Sequence, residues 1–389
     1  SLLAAGLTLY ASFVPQYRGM VQWLSAGGTV LLLYLLNWIT NIRGVIEDER
    51  ISQAYSWAGS LLLSWLLWYQ LQANNVSLAW GILGLLLFEL GNWRSWTFLR
   101  AQAYVVLTCS FAHIFYTNIN EISPGNFSPA ALTVALLAPI YFWVYWQLHG
   151  RKTSSRKGKI RVEYLIACLG TATLAALARF ELPPEIVVIG YAAIVLATLV
   201  VAWLARHQIF LFQALVMLGV VAFRISLHNF YHLDEAFSSN LSSAIWAIGL
   251  LAACVPTCLL IRRQSVESIT GSGWIAILGR YPEQPMFFVP FVLLSVLLYL
   301  KVAPGMITLG WGIEAVAVFV LALWAKERSF RLAGLSLLLV CAAKVIGWDI
   351  WQQLGSFTSR CIAVICVGAL MFVVSFLFSR NREALREYL

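Results

Sequence analysis

Ionisable side chains are costly inside an apolar segment, so those found there are the first candidates for chemistry. Arg224, Lys344, His113 and Glu314 fall within long apolar runs, and Asp349 and Arg360 sit at the ends of such runs. Lys344 and Asp349 are five residues apart, and both are within reach of Arg360 at the start of the last apolar run. This Lys–Asp–Arg cluster has two readings. One is an ion-pair clasp between neighbouring helices, with the Lys alkyl stem carrying its ammonium toward the interface. The other is a site for an anionic substrate or a proton, which recruits His228, His232, Asp234 and Glu235 from an adjacent loop. His228 and His232 are spaced to share one helix face, as a metal would require, but no third ligand accompanies them. The clasp is the preferred reading, and no metal or other cofactor is expected.

Other motifs are weaker. Glu47-Asp48-Glu49 resembles the acidic motifs of membrane glycosyltransferases that use lipid-linked donors. In those enzymes the acidic residues work on the outer side of the membrane and a large soluble domain commonly accompanies them. Here the triplet falls on the inner side and outside any such domain. Cys254 and Cys258 share a helix face, but all seven cysteines lie in apolar segments, where thiols serve as small hydrophobes. The loop 263–285 contains Gly271-Ser-Gly-Trp-Ile-Ala-Ile-Leu-Gly279, which lacks the glycine spacing and lysine of a phosphate cradle and is too short to span. It is expected to lie at the membrane interface. The basic run Arg151 to Arg161 reads as an anchor against anionic headgroups, so nucleic acid is not expected as a partner.

The elements that position these residues follow from composition. The chain of 389 residues is 61% hydrophobic and only 11% charged, where soluble domains carry about a quarter charged residues. A bilayer accepts that apolar surface, provided that backbone groups are satisfied within helices or a closed barrel. Apolar runs of about 20 residues fit helices, not the alternating strands of a barrel. The expected fold is all-α and polytopic, one transmembrane domain over 1–389 with about 14 spans. These are 2–16, 21–42, 53–72, 76–93, 97–117, 129–149, 161–179, 185–205, 209–229, 242–262, 286–301, 306–325, 329–348 and 357–379. Alternate loops, with the tail 380–389, hold 20 of the 26 basic residues, whereas the other set carries Glu121, Asp234, Glu235 and Asp349. The positive-inside rule places the basic set and both termini in the cytoplasm. The seventeen Trp and fifteen Tyr gather mostly near span ends, as an interfacial belt requires.

The chain also repeats itself. Leu78-Ala-Trp80-Gly81-Ile82, Phe88 and Arg100 recur 231 residues later as Leu309-Gly-Trp311-Gly312-Ile313, Phe319 and Arg331. The same register pairs His113 with Lys344 and Asn118 with Asp349. A fainter copy at an offset of 111 pairs His113 with Arg224, Asn118 with Asn229, and Gln102-Ala103 with Gln213-Ala214. The repeats cover 76–120, 187–231 and 307–351. Each is two spans joined by a short basic inner turn, and the second span ends outside in a cationic or imidazole residue, then four residues, then Asn or Asp. Stacked hairpins of one orientation are expected, not inverted halves.

The stretch Phe330-Arg-Leu-Ala-Gly…Lys344-Val-Ile-Gly-Trp-Asp349…Ser359-Arg360…Phe378-Ser-Arg380 resembles the end of the DUF2339 family of bacterial membrane proteins. The pattern of that family falls on Arg331, Lys344, Asp349 and Arg360. Thr358-Ser359 stands where the family more often has an aromatic residue. The resemblance implies a many-span fold in the bacterial envelope and carries no activity with it. It also implies longer relatives, and since Ser1 already lies in an apolar segment, this chain is expected to continue a longer one. The functional expectation is a scaffold or accessory subunit of an envelope membrane complex, with lipid and other membrane subunits as partners. The alternatives are a transporter or flippase-like protein for an anionic or lipid-linked solute, and an enzyme of envelope glycan or lipid chemistry using His113, His228 or His232 as a base.

Overall fold

A computed structural model describes residues 20–43, 49–118, 129–149, 162–231, 239–264, 278–303, 306–325 and 327–349, with parts of 361–379. Among these residues there is no strand, and the chain forms two compact units, Ser1–Pro184 and Glu185–Leu389. Among the described residues nine helical stretches are long and apolar enough to cross a membrane, and the shorter apolar stretches Ala26–Ile39 and Ile307–Leu323 add to them. Their outward faces carry large apolar side chains such as Trp93, Val216 and Leu339, which lipid covers without the cost that water would impose.

The first unit contains α1 (Met20–Arg43), α2 (Glu49–Gln70), α3 (Ala73–Trp93), α4 (Thr97–His113), α5 (Pro129–His149) and α6 (Val162–Glu181). The second contains α7 (Val187–Ala205), α8 (Gln208–Arg224), α9 (Ser239–Ala253), α10 (Val255–Gln264), α11 (Glu283–Lys301), α12 (Ile307–Ala325) and α13 (Arg328–Lys344). These helices account for twelve of the fourteen expected spans, with α9 and α10 together filling the span expected at 242–262. Pro256 explains the division at Cys254. It has no N–H to give the Ala252 carbonyl, and the chain turns through a tighter bond from Cys254 N to Leu251 O, 3.0 Å long. The expected span 2–16, most of the loop 263–285 and the tail 380–389 lie outside the described residues.

Five helix pairs pack most closely, α1 on α2, α3 on α4, α5 on α6, α7 on α8 and α12 on α13. Each pair is joined across one of the basic connections, so the hairpin is the unit of construction. The turn between α3 and α4 places Ser95 in the left-handed region at φ 59°, and the turn between α7 and α8 does the same with Arg206 at φ 57°. These two positions are 111 residues apart, in register with the repeat.

Burial follows that register through all three copies. Val76, Val187 and Ile307 are buried at matched positions, as are Phe88, Leu199 and Phe319, then Leu99, Phe210 and Phe330, and Leu107, Leu218 and Leu338. Close approach between the paired helices needs a small residue at the crossing. In the first hairpin this is Gly84, where an added Cβ would stand 2.7 Å from Leu107 Cγ and 3.4 Å from Ala103 O. In the third hairpin the matched pair is Ala315 and Gly334, and a Cβ on Gly334 would stand 3.0 Å from Ala315 O. The crossing is kept while the glycine has moved to the other helix.

The second helix of each copy ends alike. After His113, Arg224 and Lys344 the backbone widens into five-residue π-helical segments, Ile114–Asn118, Ile225–Asn229 and Val345–Asp349. In the middle copy the widened turn closes with Phe230 N donating to Ile225 O at 2.9 Å. Such segments are rare and recur at functional positions. The cation-x4-Asn/Asp pattern in the sequence is therefore a geometric device, the last α-helical residue followed by one π turn.

Candidate functional site

His113 closes α4 with its ring buried. Its Nδ1 is hydrogen-bonded to Ser77 Oγ on α3 at 2.8 Å and lies 3.0 Å from Thr117 Oγ1 in its own π segment. Trp80 crosses the imidazole edge-on, with ring centroids 5.3 Å apart. Lys344 closes α13 at the same place, and its Nζ donates to Thr308 Oγ1 on α12 at 2.8 Å. Ser77 and Thr308 are 231 residues apart, so a hydroxyl on the first helix meets a nitrogen on the second in both hairpins. The indoles repeat as well: Trp80 Nε1 donates to Ser64 O and Trp311 Nε1 to Ser295 O, each at 2.9 Å. In the middle hairpin the matched position is Val188, which offers Arg224 no hydroxyl. Asn229, at the end of the same hairpin, is fully buried and donates through Nδ2 to the carbonyls of Glu185 and Asn240 at 3.3 Å.

Glu314 belongs to a different environment. It lies on α12, is 5% exposed, and its Oε2 accepts from Ser295 Oγ on α11 at 2.9 Å. Among the described residues its Oε1 has no hydrogen-bond partner. The residue lines a cavity of about 240 Å³ whose other walls are apolar, among them Leu259, Phe291, Leu294, Val318 and Leu321. Phe287 and Phe330 stack beneath at 3.9 Å between ring centroids. The matched residue in the first hairpin is Leu83, so this carboxyl is particular to the third copy.

The polar residues singled out from the sequence are thus brought to separate helix contacts. His113 lies in the first unit. In the second unit Lys344 meets Thr308, Glu314 meets Ser295, and Arg224 and Asn229 end α8. The side chains of Asn118 and Asp349, and Arg360, His232, Asp234, Glu235, Glu47 and Asp48 altogether, lie outside the described residues. Cys254 and Cys258 are buried, with Cys254 Sγ donating to Leu250 O.

Two polar clusters were not singled out from the sequence. Arg262, at the end of α10, bonds to Glu283 Oε1 at 2.5 Å and to Glu327 Oε1 at 3.0 Å, and its guanidinium lies 5.1 Å from the centre of the Tyr281 ring. Glu283 is fully buried, and Gln284 Nε2 donates to Ser329 Oγ beside it. This cluster ties α10 and α11 to the turn before α13. In the first unit Gln102 is fully buried on α4, where Oε1 accepts from Ser60 Oγ at 2.7 Å and Nε2 donates to Ser56 Oγ at 3.0 Å. Tyr34 extends this chain to α1 through a 2.7 Å bond with Ser60. Gln102 stood in the sequence as a mark of the repeat, but its partners 42 and 46 residues away leave no local spacing to read.

A search of curated proteins finds no match, and neither does a search of solved structures. A family model does match, that of predicted membrane proteins termed DUF2339, over residues 2–381. The match extends the C-terminal resemblance to nearly the whole chain and agrees with the apolar hairpins. The protein is an integral membrane protein and belongs to the DUF2339 family.

Proposed function

We propose that this protein is a scaffold or accessory subunit of a bacterial envelope complex, seated in the cytoplasmic membrane with its basic turns inside. The observation that carries this reading is where the membrane-embedded polar groups are spent. His113–Ser77, Lys344–Thr308 and Gln102–Ser56–Ser60 each join neighbouring helices of one unit. Such contacts fix helix register and leave the outer faces for lipid or other subunits. Passage of an anionic or lipid-linked solute calls instead for Lys344 and Arg224 around one watered cavity. Neither lines the 240 Å³ cavity of the second unit or the 450 Å³ cavity of the first. The contacts therefore favour the scaffold.

The test is cross-linking in native membranes from cysteines placed at the lipid-facing positions Val216 and Leu339, 68% and 70% exposed. A subunit should give the same discrete heteromeric adduct in repeated preparations, and loss of this chain should lower the abundance of the cross-linked partner. A chain that is excised from membranes alone, with only lipid around it, sinks the reading.

A further inference from the structure

The geometry points to a binding site at Glu314 for a single-chain amphiphile whose polar head donates a hydrogen bond, an ammonium or a hydroxyl. Three observations converge on it. The walls are apolar side chains at the depth of the helix interiors, so the body of the ligand must be apolar as well. The carboxyl of Glu314 is 95% buried on this wall, and only one of its oxygens is satisfied by the protein. A buried acceptor left without a donor is costly, and a ligand that supplies the donor recovers that cost.

The third observation concerns the backbone. Pro256 divides α9 from α10, and Pro290 stands inside α11; both prolines line this cavity. Neither has an N–H, so the helical donors for the Ala252 and Met286 carbonyls are missing. Ala252 itself lines the cavity. A divided helix beside a buried carboxyl is a membrane arrangement in which backbone and side chain together receive a polar group. The unsatisfied groups of the wall, Glu314 Oε1 and the Ala252 carbonyl, call for a donor, which an amine or alcohol head supplies and a carboxylate head does not. All of the lining residues come from α9 to α13 of this chain.

The experiment uses the full chain in a nonionic detergent and a photoactivatable dodecylamine as probe. Labelling should saturate, and the labelled peptides should come from α11 and α12 around Phe291, Leu294 and Leu321. Dodecylamine and dodecanol compete as separate arms, and whichever competes identifies the head; dodecanoate should not compete. Glu314→Leu, which installs the residue of the first hairpin, should weaken labelling by about tenfold or more. Ala317→Phe, which fills the cavity, should abolish it with the thermal unfolding profile retained. Labelling spread over lipid-facing surfaces of the wild-type chain overturns the proposal whether or not the variants fold. So does equal competition by dodecanoate, failure of both the amine and the alcohol to compete, or undiminished labelling of folded Glu314→Leu.

Discussion

Lys344 Nζ donates to Thr308 Oγ1 at 2.8 Å, joining the last α-helical residue of α13 to the first turn of α12. It is the same contact that His113 makes with Ser77 in another hairpin. Interhelical hydrogen bonds in membranes average about 0.6 kcal/mol, and those to charged groups about 1.5–3 kcal/mol. Thr308→Val should therefore cost about 1–2 kcal/mol in reversible unfolding in detergent, while Thr308→Ser costs little. Transplanting the first hairpin's pair, Thr308→Ser with Lys344→His, should restore most of the loss. A double change no better than Thr308→Val would show that the two hairpins are not interchangeable there.

The displaced glycine gives a second test. Gly334→Ala brings a Cβ to 3.0 Å from Ala315 O and 3.1 Å from Phe319 N, both backbone atoms that cannot swing aside. Overpacking of this kind costs roughly 1–3 kcal/mol. Adding Ala315→Gly reproduces the Gly84/Ala103 arrangement of the first hairpin and should recover about 1 kcal/mol or more, read as the coupling in a double-mutant cycle. Additive losses would count against a shared crossing.

Arg262 is the hub of the cluster at the ends of α10 and α11. Removing the partner of a buried charge costs about 3–5 kcal/mol, which the 37% exposure of Arg262 reduces through solvent screening, so Arg262→Ala should cost roughly 2–4 kcal/mol. Glu327→Gln, at the half-buried edge of the cluster, keeps a hydrogen-bonding oxygen for Arg262 and should cost about 1 kcal/mol. Replacing the pair, Arg262→Met with Glu283→Met, should unfold later than Arg262→Ala alone, because no buried charge is then left uncompensated. Thermal unfolding followed by tryptophan fluorescence separates these outcomes.

Orientation can be read directly. In a cysteine-free background, Tyr116→Cys and Tyr231→Cys, 76% and 78% exposed and next to or within the π segments, should react with an impermeant maleimide in whole cells. Ser95→Cys, in the turn between α3 and α4, should react only after the membrane is opened. The reverse pattern would invert the topology drawn from loop charge.

The hairpins were legible because their first and third copies share residues that pack the same way: Trp80 and Trp311, Phe88 and Phe319, His113 and Lys344. The middle copy was fainter because Val188 stands in place of Ser77 and the indole of Trp80 and Trp311 has no counterpart there, while the burial pattern and the π segment persist. The break at Cys254 needed Pro256 to be weighed against a continuous apolar run. Glu314 stood out as a charge in a span, but its partner is chosen by the packing of α11, which brings Ser295 to it. Glu283 escaped notice because charges near loops read as topological. Its burial depends on Arg262, 21 residues earlier, and on a helix start that the loop reading did not anticipate.

The left-handed residues Ser95 and Arg206 bear on how the chain is made. Only Arg94, Ser95 and Trp96 separate α3 from α4, and only Arg206 and His207 separate α7 from α8. So short a link leaves no slack for one helix to settle across the bilayer while the next waits outside. During synthesis the two must be handed to the lipid as one object, already folded back on itself, and loop closure over so few residues makes that pairing entropically light. For these two hairpins the insertable piece is therefore a pair of helices, and a truncation between α3 and α4 or between α7 and α8 should be degraded where one after α4 or α8 is tolerated.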